Sequence, residues 1–224
     1  MGAALADGVA GHAGSFRAAP IVHIHGTLLF SWCLLYLAQT AWIASGLMPT
    51  HRAWGMAGIA LFTAMVCSIL VTKVVNMRID EARGFGNEGR RFAALALCSL
   101  PRLVGLFAAA IANVRRPEVH KRLMYTLMCG LMFPAFARVF VTLLAPPGAA
   151  AGAPPPPFVV LGPTALAALL IGVGWVHDWR TLGRVHPASV YGGLVVVLIN
   201  CAIVPFSYTA TWMHIARGLQ SLGG

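Results

Sequence analysis

Six long apolar runs dominate this chain of 224 residues and limit the folds open to it. A helix crosses the hydrocarbon core of a bilayer with about 20 predominantly apolar residues. Because lipid cannot satisfy backbone polar groups, such runs form helices rather than open sheets. The pattern therefore predicts an all-α integral membrane bundle of about six transmembrane helices. The runs cover residues 21–45, 52–75, 92–113, 120–145, 158–177 and 188–210.

The composition supports this fold class and limits the kinds of partner that the chain is expected to bind. Hydrophobic residues make up 58% of the chain and charged residues 10%, whereas a soluble domain is typically about 25% charged. The net charge of +10 comes from cations scattered through the connections between apolar runs. Nucleic-acid binding requires cations gathered on one soluble face. We therefore expect membrane lipids as partners, with further membrane subunits possible, and no nucleic acid.

The connections between the runs suggest one domain with two irregular segments. Residues 1–20 are rich in Gly and Ala and predict a flexible N-terminal tail, followed by a single transmembrane domain over 21–218. A Pro/Ala-rich loop is expected at 146–157. The longest polar connection, 76–91, is long enough to include an interfacial helix. Lys and Arg divide equally between the two sides, so their count leaves orientation open.

Histidines are the clearest clue to chemistry. Four of them, His51, His120, His177 and His186, fall where predicted helices meet one bilayer face, while His23 and His25 fall at the opposite face. Ionisable groups at membrane depth are costly, and they mark functional sites by default. Imidazole is also the commonest side chain for binding iron, zinc and copper.

Two of these histidines fit a b-type haem. Such a haem needs axial histidines from two helices at similar depth, which His51 and His120 satisfy, and cations near its propionates. Gly55 and Gly58 follow His51 on one helix face, where small residues favour either close helix packing or a groove for a flat cofactor. The candidate cations are Arg52, Arg115 and Arg116.

A compact metal centre is an alternative arrangement of the same residues. Three of the four histidines at the shared face could hold Zn, Fe or Cu, with Asp178 as a candidate catalytic base. His25 is a further candidate metal ligand. Such a centre would suit a membrane enzyme acting on lipid. Asp178 could instead form an ion pair with a nearby Lys or Arg.

Two arginines within apolar runs suggest other functions. Arg138 lies eighteen residues after His120, or five helical turns, so both are expected on one inward helix face, roughly 27 Å apart along the axis. Pro134 is expected to bend this helix between them. On the inward face, Arg138 could bind a cofactor carboxylate or phosphate. Pro101 and Arg102 interrupt the third run, and a broken helix with a charge at its break can form a binding site. Arg102, Arg138 and Gln39 could thus line the path of a small-solute carrier.

Four short elements carry a resemblance to known proteins. They are HIHG from His23, HR at His51, HKRLM from His120 and HDWRTLGRVHP from His177. Together they resemble a widespread family of uncharacterised bacterial multi-pass membrane proteins. The HKRLM element is also similar to the helix start of small four-histidine membrane proteins that assist cytochrome oxidase maturation. The resemblance implies a histidine site that handles haem or metal in a respiratory membrane.

The leading hypothesis is therefore a haem- or metal-binding protein of redox, electron-transfer or respiratory-assembly type in a bacterial inner membrane. Three alternatives remain open at this point: a metal-dependent enzyme acting on lipid, a small-solute carrier, and an accessory subunit of a larger membrane complex. Whether the protein is an enzyme is open as well.

Overall fold

A computed structural model describes residues 19–144 and 154–222, and within these ranges the regular elements are helices. The predicted all-α class is confirmed. A short 3₁₀ turn, Pro157–Val160, leads directly into one helix. The helices are α1 (Pro20–Ala44), α2 (Met48–Ala82), α3 (Gly86–Leu97), α4 (Leu100–Ala112), α5 (Pro117–Leu131), α6 (Phe133–Leu144), α7 (Leu161–Leu182), α8 (Pro187–Phe206) and α9 (Ala210–Ser221).

In the described part of the chain, six segments are long and apolar enough to cross a bilayer, which confirms the predicted multi-pass bundle of about six helices. We number these segments spans 1 to 6. Two of them contain two helices each, and span 5 begins with the 3₁₀ turn. In order, the spans are Pro20–Ala44, Met48–Ala82, Gly86–Ala112, Pro117–Val141, Pro157–Leu182 and Pro187–Phe206.

The ends of several helices differ from the sequence prediction. The polar segment 76–91 is mostly helical, since α2 continues to Ala82 and α3 begins at Gly86. The charged residues up to Glu81 did not end α2, because Arg and Glu are good helix formers. The break comes at the turn containing Gly84, whose φ is +85°. The helix α9 after span 6 was not predicted. The predicted tail at 1–20 and loop at 146–157 lie largely outside the described residues, and the single-domain prediction stays a prediction.

The described residues fall into two compact units divided between Thr72 and Lys73. The first contains α1 and the first part of α2, joined by a turn in which Gly46 has φ +74°. A positive φ of this kind strains any residue with a Cβ, so glycine suits the turn. The two helices pack through Trp32 and Phe62, whose ring centroids lie 5.3 Å apart.

The second unit holds α3 to α9, with the last part of α2. One of its cores lies where Met77, Ala94 and Trp212 are buried together with Ile203. Trp212 Nε1 donates to the Arg90 carbonyl over 2.8 Å, which ties α9 to α3. The unpredicted helix α9 is therefore an integral part of this core.

Spans 3 and 4 are each interrupted near proline. The break between α3 and α4 precedes Pro101, and the break between α5 and α6 precedes Pro134. Proline has no N–H to donate to the carbonyl four residues earlier. The helix that carries His120 and Arg138 was expected to bend near Pro134, and the break between α5 and α6 lies there. Arg138 is exposed on α6.

Candidate functional site

His120 lies in the first turn of α5, half-buried, and its ring orientation is fixed by α4. Its Nδ1 lies 2.8 Å from the carbonyl oxygen of Ala110. A carbonyl oxygen only accepts, so Nδ1 carries the hydrogen and the neutral ring keeps its lone pair on Nε2. A backbone carbonyl bound to one ring nitrogen is the usual support of a metal-ligating histidine. His120 therefore has the tautomer and the support of a ligand.

His25 has the same tautomer through a different support. Its Nδ1 lies 2.9 Å from Ser68 Oγ, and the Ser68 hydroxyl donates to the Met65 carbonyl over 2.7 Å. Because that hydroxyl hydrogen is already used, Ser68 accepts from His25 Nδ1–H. The lone pair of the neutral ring is again on Nε2. This contact joins α1 to α2 within the first unit.

His51 lies in the first turn of α2 and is half-buried, with its Nδ1 removed from solvent. Of the two glycines expected to form a groove beside it, Gly58 is buried, and a Cβ there would lie 3.5 Å from Leu35 Cδ2. Gly58 therefore serves the packing of α1 on α2. A Cβ at Gly55 would meet open space.

His186 and His177 are placed differently from His120. His186 caps the start of α8, where its Nδ1 accepts from the Ala188 N–H over 3.1 Å. An accepting Nδ1 is unprotonated, so the neutral ring carries its hydrogen on Nε2. This tautomer offers no lone pair on Nε2 for a ligand. His177 is exposed near the end of α7.

Asp178 is held in a buried ion pair. It is 3% exposed, and its Oδ1 accepts from Arg122 Nε over 2.8 Å. Its Oδ2 accepts from Ser189 Oγ over 2.6 Å and from the His186 N–H over 3.3 Å. A carboxylate with both oxygens occupied in this way fits a structural role better than that of a catalytic base. Its partner is Arg122, a residue that sequence reasoning did not select.

The predicted propionate cations are all exposed, and they lie at helix starts or in a turn. Arg52 follows His51 in α2, while Arg115 and Arg116 precede α5 and His120. Within the described part of the chain, no group of three or more His, Cys, Asp or Glu side chains is arranged to hold a metal ion.

Fold and site together define a polytopic all-α membrane protein with individually supported histidines near the ends of its spans. Comparison with protein-family models, with curated proteins and with solved structures finds no match for the chain. The resemblance of its histidine elements to bacterial multi-pass proteins and to oxidase assembly proteins stays a prediction.

Proposed function

We propose that the chain is a haem- or metal-binding integral membrane protein of redox or respiratory-assembly type, acting in a bacterial inner membrane. The observation that carries the proposal is the His120 ring, whose Nδ1–H donates to the Ala110 carbonyl over 2.8 Å. This bond directs the ligand lone pair to Nε2 and restrains the ring, so less freedom is lost when an iron binds.

A b-type haem is the cofactor that this set of residues favours. His120 is the first candidate residue to hold it, and His51 is the second candidate that the sequence offers. Arg115 and Arg116, just before His120, provide exposed cations suited to haem propionates. Bound haem would supply one-electron chemistry. The protein residues would hold the iron, neutralise the propionates and exclude water. Zn, Fe or Cu is the alternative cofactor.

The experiment compares detergent-purified wild-type protein with single histidine variants, using haem absorbance per protein and elemental analysis. His120→Ala and His51→Ala are expected to lose the cofactor, because each would remove an imidazole proposed to hold it. His214→Ala is the matched control, since this imidazole is exposed on α9 and is not among the candidate ligands. Retention of full cofactor by His120→Ala contradicts the proposal.

His25→Ala with His23→Ala as its control tests the second supported ring. His23 lies on the same helix and is exposed, whereas His25 is held by Ser68. Loss of metal or haem in His25→Ala alone would add a ligand on α1. Equal cofactor content in both variants would limit the site to the other histidines.

A further inference from the structure

Arg102 is a buried cation that has no counter-ion among the described residues. It is 5% exposed, and its Nε and Nη1 have no hydrogen-bond partner among the described residues. The described ion pairs use Arg90, Arg122 and Lys121 instead. Because arginine stays charged in proteins, a buried guanidinium needs an acceptor or an anion close by. We therefore expect Arg102 Nε and Nη1 to bind an acceptor group that is not among the described residues.

The depth of Arg102 makes this charge costly. It lies sixteen residues after Gly86 and ten before Ala112, the ends of span 3. At about 1.5 Å per residue, these offsets place it roughly 24 Å and 15 Å from the two ends. A hydrocarbon core is about 30 Å thick, so a span of this length that crosses it would carry Arg102 inside it. Charged residues at this depth commonly mark substrate or ion pathways.

The missing side chain of Gly130 on α5 leaves space for the guanidinium of Arg102. A Cβ at Gly130 would lie 2.6 Å from Arg102 Nη1 and 3.6 Å from Val196 Cγ2. Any residue larger than glycine at 130 would therefore displace the guanidinium. The contact places Arg102 where α4, α5 and α8 meet.

Two further buried polar atoms that lack a partner within the described ranges lie close to the level of Arg102. Asn200 is one turn beyond Val196 on the same face of α8, and its Nδ2 has no hydrogen-bond partner among the described residues. Trp175 Nε1 donates to the Ser189 carbonyl, which sets an antiparallel register of α7 and α8. That register brings Thr164, whose Oγ1 is likewise buried and unpartnered, level with Asn200.

The helix breaks fall at the same depth. Arg102 contacts the position of Gly130, and His120 bonds to Ala110, so spans 3 and 4 run antiparallel in a fixed register. In that register the break before Leu100 is level with the break at Met132. Paired discontinuous helices at midplane depth are a recurrent way to build a membrane binding site.

We propose that Arg102 and Asn200 form an intramembrane site for a carboxylate or phosphate group carried on an apolar molecule. Arg102 Nε and Nη1 and Asn200 Nδ2 are all donors, so together they suit an acceptor-rich anion. The neighbouring Val196 side chain suits an apolar body. The site uses none of the histidines, and its test is independent of the proposed cofactor.

The test uses full-length protein in nanodiscs of phosphatidylcholine, with benzoate and phenylphosphonate as probes. Thermal unfolding and calorimetric Kd are measured for wild type and for Arg102→Met. Wild type is expected to gain thermal stability with either probe, and the variant is expected to lose that gain and to bind about tenfold more weakly or worse. Without probe the variant is expected to unfold at the same or a higher temperature, because an unpaired buried charge has been removed.

Gly130→Ala is the second variant, because it keeps the charge and displaces Nη1. It is expected to weaken probe binding as well. Arg180→Met, at an exposed arginine of α7, is the charge-matched control and is expected to bind as wild type does. A third arm uses nanodiscs that contain phosphatidylglycerol and no probe. If these lipids raise the unfolding temperature of wild type but not that of Arg102→Met, the bound anion is a lipid headgroup. Unchanged Kd in both site variants, or no stabilisation of wild type in any arm, overturns the proposal.

Discussion

Arg122 and Asp178 join α5 to α7 through a buried ion pair, with Arg122 Nε and Nη2 at 2.8 and 2.7 Å from Asp178 Oδ1. The second carboxylate oxygen accepts from Ser189 at the start of α8. Two of the four histidine-containing sequence elements, HKRLM and HDWRTLGRVHP, are thus held together by Arg122 and Asp178 rather than by their histidine side chains. The ion pair fixes the end of the bundle where His120 lies.

Arg122→Ala is expected to destabilise the protein by about 3–5 kcal/mol, because it leaves the Asp178 carboxylate buried without its counter-ion. The measurement is the free energy of unfolding in detergent, followed by circular dichroism. Lys121→Ala is the control, since its ion pair with Glu118 is exposed, and such pairs contribute at most about 1 kcal/mol. Equal losses in the two variants would show that burial of the pair does not matter.

Replacing both Arg122 and Asp178 tests whether the loss of stability comes from leaving one buried charge unpaired. Arg122→Met combined with Asp178→Leu is expected to recover most of the stability lost in Arg122→Ala, because no buried charge is left unpaired. If the double variant is less stable than Arg122→Ala, the carboxylate has a role beyond this pair.

Gly183→Ala is expected to cost about 1 kcal/mol of stability. Gly183 ends α7 with φ +67°, and a Cβ there is strained although it would meet open space. Gly218→Ala is the control, because Gly218 also faces open space but lies within α9. There alanine is expected to stabilise by about 0.5–1 kcal/mol. Thermal unfolding of both variants should therefore shift in opposite directions, and shifts of the same sign would contradict this account.

Trp212→Phe is expected to destabilise by about 1–3 kcal/mol, because the buried Arg90 carbonyl loses its donor. Chemical unfolding followed by circular dichroism measures the change without relying on tryptophan fluorescence. Trp179→Phe is the control, since Trp179 is exposed on α7. A neutral Trp212→Phe would mean that α9 is held by apolar packing alone.

The sequence predicted the spans well because each is a long apolar run, and lipid leaves helices as the stable form for such runs. It did not predict α9, whose amphipathic sequence is short and is stabilised by Trp212 contacting Arg90 across the fold. The candidate site was likewise predicted only in part. Histidine positions were visible in the sequence, but the supports from Ala110 and Ser68 come from other helices.

The structure also changes the interpretation of two arginines, Arg138 and Arg122. Arg138 was expected on an inward face, five helical turns from His120, yet it is exposed on α6. Arg122 was overlooked because a basic residue beside Lys121 resembles an ordinary loop cation. One signal was available: Arg122 follows Glu118 by four residues, a spacing that places both on one helix face.

The central claim is tested most directly by one absorption spectrum of detergent-purified wild-type protein, taken with elemental analysis of the same sample. A b-type haem predicts a Soret band with about one iron per bound macrocycle, and a metal centre predicts stoichiometric Zn, Fe or Cu without that band. Protein that shows neither a Soret band nor stoichiometric metal would contradict the proposed function.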